Sequence, residues 1–133
     1  MYIVVDFDGT CVTHDWPKMG KDIGSIPVLK ALTKAGHQLI LFTMRSEKGV
    51  RDGRFKSGLN DAVKWFKDND IPLFGIQSNP TQFEWTDSPK AYGQLIIDDA
   101  ALGCPLRYDK DFHERPFVDW VVVEKWLKES KIL

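Results

Sequence analysis

The strongest constraint on this chain is a set of short apolar runs, separated by helix-spaced sequence, three of which end at a carboxylate or a threonine. Tyr2–Val5, His37–Phe42, Leu73–Ile76 and Gln94–Ile97 are largely apolar on both faces, the pattern of strands buried within a parallel sheet. After the first run, Val28, Ala31, Leu32 and Ala35 keep helical spacing until Gly36, with Ser25 as the expected N-cap and Pro27 in the first turn. After the second, Leu59, Ala62, Val63 and Phe66 recur at i, i+3, i+4 and i+7, and this helix should end near Asn69, ahead of Ile71-Pro72. Val118–Ser130 reads as a closing helix, and residues 11–24, 45–56 and 77–89 read as loops. The order β-α-β-α-β-loop-β-α predicts an α/β fold: one doubly wound, Rossmann-like parallel sheet with helices on both faces. At 133 residues the chain fits one domain of the usual ~100–200 residues and spans it as residues 1–133.

Ligands of such sheets bind beyond the carboxyl ends of the strands, where the strand order switches. Asp6 and Asp8 follow the first strand, Thr43 the second, and Asp98 and Asp99 the fourth. All five should therefore meet at one edge. In extended backbone, residues i and i+2 point the same way, so Asp6-Phe7-Asp8 presents two carboxylates together. Like charges held together need a cation or a shared proton. A hard, oxygen-loving divalent ion, Mg²⁺ first, is the economical partner. Taken alone, an Asp-x-Asp also suits a loop cap, a lone Thr43 a strand end, and a lone Lys90 a solvated surface. The joint order carries the inference: strand–DFDGT, strand–T, then Lys90 eight residues before Asp98-Asp99.

Composition narrows the function classes. Eighteen basic against 19 acidic side chains give a net charge of −1, which disfavours a dedicated nucleic-acid binder. No run approaches the ~20 apolar residues of a membrane span. Two cysteines make no disulfide framework, and with no signal peptide a reduced, cytoplasmic setting is expected. His14, His37 and His113 with Cys11 and Cys104 show no zinc-ligand spacing.

The motifs resemble those of the haloacid dehalogenase-like superfamily, whose members are mostly Mg²⁺-dependent phosphatases. IVVDFDGT is similar to its first motif, LILFTMR to its second, and SPKAYGQLIIDDAALG to its third and fourth, over residues 2–103. The resemblance implies Asp6 as nucleophile and Asp8 as general acid/base. It implies Thr43 and nearby backbone N–H groups, Met44 included, as holders of phosphoryl oxygens, with Lys90 neutralising their charge. Asp98 would ligate Mg²⁺ beside the Asp6 carboxylate and the Asp8 carbonyl. Asp99 would bind the ion through water or orient Lys90. An acid at position 8 marks the phosphatase branch, because members that cleave other bonds lack it there. Cys11 replaces a frequent aliphatic residue and reads as a small core side chain.

The resemblance also implies a capless protein, since residues 11–42 and 44–89 are already used for sheet and helix. Such a site selects its substrate with loops or with a neighbouring copy of the chain. Residues 45–56 hold Arg45, Lys48, Arg51, Arg54 and Lys56 against Glu47 and Asp52, a local +3. This loop should dock an anionic or polyhydroxyl leaving group, with Arg45 nearest the phosphate. A small phosphorylated metabolite is the expected substrate. The alternatives are a polynucleotide-end phosphatase and a receiver-like phosphoacceptor module. In the latter, however, the acid pair follows the first strand and the lysine the last, the reverse of the order here.

Overall fold

The computed structural model describes residues 1–47 and 58–133. Four strands, β1 (Tyr2–Val5), β2 (Gln38–Leu41), β3 (Gly75–Ile76) and β4 (Leu95–Ile97), form a parallel sheet in the order β3-β2-β1-β4. Helices α1 (Ser25–Lys34), α2 (Leu59–Asp68) and α3 (Trp120–Glu129) accompany it. A small antiparallel pair, β5 (Leu106–Arg107) with β6 (Phe117–Val118), precedes α3. Among the described residues, no helix is long and apolar enough to cross a membrane.

Register places Ile3 and Val5 beside Leu39 and Leu41 on one face, and Val4 beside Ile40 on the other. The first face carries the main core. Val28, Leu29 and Leu32 of α1, Leu59, Ala62 and Phe66 of α2, and Trp120, Val123 and Leu127 of α3 all join it. The second face carries Val4, Ile40 and Ala91, with Tyr2 packed against them. Among the described residues no helix contributes to this second cluster, contrary to the expectation of helices on both faces. The strand order explains part of the difference. β1→β2→β3 steps in one direction, so two crossovers of the same hand put α1 and α2 on the same side.

The second face is served instead by the stretch between β3 and β4, which sequence reads only as a loop. It contains a 3₁₀ turn at Pro80–Glu84, capped by the Asn79 side chain. Gln82 is buried and uses both ends of its amide. Its Nε2 donates to the carbonyls of Ser88 and Lys90, and its Oε1 accepts from the N–H groups of Asn79 and Tyr92.

Two local readings change. Ser25 is the first residue of α1, and its hydroxyl donates to Cys11 O at 2.7 Å while Gly24 occupies the cap position. The closing helix begins at Trp120 because Asp119 caps it, accepting from the N–H groups of Val121 and Val122. Val118 pairs in β6, which two-residue strands make invisible to periodicity.

Candidate functional site

The β1–β4 ladder continues one step past both strands, with the Asp6 N–H donating to Ile97 O at 3.0 Å. Asp6 and Asp98 are thus the first residues beyond two adjacent parallel strands. Oxygens of Asp6, Asp98 and Asp99 lie within 4.8 Å of one another. β2 and β3 lie to one side of β1 and β4 to the other, so the cluster stands at the switch in strand order.

Thr10 links the cluster. Its buried hydroxyl lies 2.8 Å from Asp6 Oδ2 and 3.3 Å from Asp99 Oδ1, and it accepts from the Asp99 N–H at 3.0 Å. One hydroxyl proton serves one carboxylate at a time, and the shorter contact is to Asp6. From below, the Trp120 indole N–H donates to Thr10 O at 2.7 Å. His14 Nε2 stands 2.7 Å from Asp99 Oδ2. Gly9, at φ +82°, makes this closeness feasible: a Cβ there would fall 1.9 Å from His14 Nε2 and 2.6 Å from Asp99 Oδ2.

Burial, the largest influence, pushes the Asp6 carboxyl from 3.8 up to about 8; the Thr10 hydroxyl opposes the shift and the Asp98 charge adds to it. Burial works against ionising Asp99 too, but hydrogen bonds with His14, Asp6 and Thr10 outweigh it and hold this carboxyl below its usual value. Without a cation, Asp6 therefore carries a proton at neutral pH and Asp99 the charge. Cys11 is fully buried, and burial pushes its thiol well above the usual value, as befits a core side chain.

The other expected site residues are arranged differently from the sequence reading. The Asp8 carboxylate is gripped by Arg45, whose Nε and Nη2 donate to its two oxygens at 2.8 and 2.7 Å. Arg45, expected to face phosphate, is only 2% exposed. The Thr43 hydroxyl accepts from the Arg45 N–H at 3.1 Å, and the Thr43 N–H donates to Gln77 Oε1 at 2.8 Å. Gln77 Nε2 also donates to the carbonyls of Thr43 and Arg45, so this side chain shapes the turn after β2. Met44 is 97% exposed at the tip of that turn. Lys90 is exposed and makes no ion pair with Asp6, Asp98 or Asp99, so Asp99 has His14 and Thr10 as partners where Lys90 was a candidate. The chain enters β4 beside the start of β1, with the Gln94 N–H donating to Tyr2 O at 2.9 Å. Residues directly before β4 thus lie at the sheet edge opposite Asp98. Lys48, Arg51, Arg54 and Lys56 lie outside the described residues.

Thr10, His14, Gln77 and Trp120 join the site through contacts to which the sequence pattern assigns no part. Thr10 stood inside the DFDGT motif and was legible there. His14 and Asp99 are 85 residues apart, and only the fold joins them.

A scan against protein-family models matches no family, and a search of the curated proteins finds no match. Among solved structures, the chain is similar to a conserved protein from Bacteroides thetaiotaomicron, at 28% identity and a TM-score of 0.72. The likeness covers 98% of this chain and 91% of that one, so it extends through the whole α/β fold.

Proposed function

We propose that this chain is a small, capless phosphomonoesterase of the haloacid dehalogenase-like type, Mg²⁺-dependent and acting through Asp6. The observation that carries the reading is the meeting of the Asp6, Asp98 and Asp99 carboxylates within 4.8 Å at the β1–β4 switch. The donor set is all oxygen and all acidic, which fits a hard divalent cation. Asp6, Asp98 and Asp99, with the Asp8 carbonyl, are the groups to hold it. When bound, Mg²⁺ supplies a compact positive charge that offsets the phosphoryl oxygens and favours ionised Asp6. This bears on reactivity, because Asp6 pushed up to about 8 is mostly protonated at neutral pH and a protonated carboxyl is no nucleophile.

In the first half-reaction, an Asp6 oxygen bonds to phosphorus while the ester P–O bond breaks, and Asp8 passes a proton to the leaving oxygen. In the second, Asp8 takes a proton from water, which attacks phosphorus and releases phosphate from Asp6. The turn after β2, with the Thr43 hydroxyl and Met44 N–H, borders the phosphoryl oxygens. No contact of Lys90 supports its expected part in this scheme. With no cap, a small phosphorylated metabolite held by loops is the favoured substrate class.

The test is a panel of phosphate esters with Mg²⁺, run on the wild type and Asp6→Asn. Metal-dependent turnover that falls by at least ~100-fold in the variant is expected. Absence of turnover across the panel, or undiminished turnover in Asp6→Asn, overturns the reading.

A further inference from the structure

We infer that Arg45 is a positioning residue for Asp8, acting on catalysis through that carboxylate and making no contact with substrate phosphate. The inference rests on the phosphatase reading above and deepens it. Arginine has five N–H donors in a rigid fork. Four are committed: Nε and one Nη2 proton to the two Asp8 oxygens, the second Nη2 proton to Lys18 O at 2.8 Å, and an Nη1 proton to Gly58 O at 3.4 Å. The guanidinium carbon also lies 5.1 Å from the centre of the Phe7 ring, the residue between the two motif aspartates. With four of its five donors committed and its side chain 1% exposed, Arg45 lacks the free fork and the access that a phosphate ligand needs.

The same contacts suit it for orientation. A two-pronged grip fixes both the place and the plane of a carboxylate. Each carboxylate oxygen has two acceptor sites, so one site per oxygen stays open for a proton moving to or from substrate. The anchors are backbone carbonyls of two different segments and a buried aromatic ring. A general acid displaced by ~1 Å can lose ~100-fold in rate, which is the scale on which such a clamp acts.

Gly58 offers an independent handle. A Cβ added there would stand 2.8 Å from Arg45 Nη1, 3.3 Å from Trp16 Nε1 and 3.4 Å from Arg45 Cδ, so the closest approach is to the guanidinium. Gly58→Ala therefore dislodges the clamp while leaving both Arg45 and Asp8 in the sequence. The backbone at Gly58, φ −112° and ψ −2°, is open to alanine.

The experiment uses the full chain with Mg²⁺ and two probes, phenyl phosphate and p-nitrophenyl phosphate. The first has the more basic leaving group and depends more on a proton from Asp8. Arg45→Ala is expected to lower kcat on phenyl phosphate by ~10- to 100-fold with KM nearly unchanged, and to lower it less on p-nitrophenyl phosphate. Arg45→Lys and Gly58→Ala should fall between wild type and Arg45→Ala, and they supply the same readout if Arg45→Ala does not fold. In an Asp8→Asn background, Arg45→Ala should add almost nothing, because the group it positions is gone. A rise in KM with kcat preserved, equal losses on the two esters, or a full additional loss on top of Asp8→Asn overturns the positioning role. Failure of the wild type to hydrolyse any ester is a different result, and it removes the phosphatase reading on which the inference stands.

Discussion

Between the unfolded chain and the metal-free fold, the Asp6 carboxyl moves from 3.8 up to about 8, driven first by burial. Across that interval the folded state holds a proton that the unfolded state has released. Stability therefore falls as pH rises from about 4 to about 8, and is unaffected by this group below the lower value. Asp6→Asn removes the titration. In excess chelator the variant should melt higher than wild type by at least ~3 °C at pH 8, with the gap closing toward pH 4. Equal melting temperatures at both pH values would contradict the buried, protonated Asp6. At this scale the sequence was informative wherever a side chain follows a strand, as Asp6 and Asp98 do. It was uninformative for the pairing of Arg45 with Asp8, which are 37 residues apart. Asp8 was legible as a motif carboxylate and Arg45 as a cation beside Thr43, but their contact exists only once the first loop folds back over the turn after β2.

At the scale of elements, α3 joins the candidate site to the core. Asp119 caps it through the N–H groups of Val121 and Val122, and removing such a cap typically costs ~1 kcal/mol. Asp119→Ala should lower the melting temperature by ~3–5 °C without changing KM. Trp120→Phe is more telling, since it leaves the buried Thr10 carbonyl without the indole N–H. A buried acceptor left unpaired costs ~1–3 kcal/mol. Because Thr10 also links Asp6 to Asp99, this variant should bind Mg²⁺ more weakly by calorimetry. Unchanged affinity would mean that Thr10 holds its place without α3. The long periodic elements were readable because their apolar spacing reflects one buried face. The motif order puts Lys90 in the site, yet a residue that precedes β4 lies toward the end of that strand opposite Asp98. The β5–β6 pair was hidden because its strands are two residues each, too short to show alternation.

For the molecule as a whole, metal binding and stability are the same equilibrium seen from two sides. Mg²⁺ at ~100 times its dissociation constant should stabilise the fold by ~2.7 kcal/mol, read as a rise in melting temperature that a chelator reverses. The rise should be larger at pH 8 than at pH 6, because at the lower pH the ion must first displace the Asp6 proton. It should be absent in Asp98→Asn, and a full rise in that variant would place the ion elsewhere. The sequence conveyed the sheet and its carboxyl-end cluster, while the cover of the second face depended on two buried amides, Asn79 and Gln82, whose partners periodicity does not reveal. The Trp120–Thr10 hydrogen bond, spanning 110 positions of the chain, has a consequence in time as well as in space. Contacts of such long separation are slow to form, and ribosomal synthesis delivers Trp120 long after Asp6. Helices rest on local contacts, whereas the pairing of β1 with β4 and the docking of α3 beneath Thr10 both close about a hundred positions of chain. Competence to bind the ion should therefore lag behind the recovery of secondary structure, making metal capture a clock for the last step of folding.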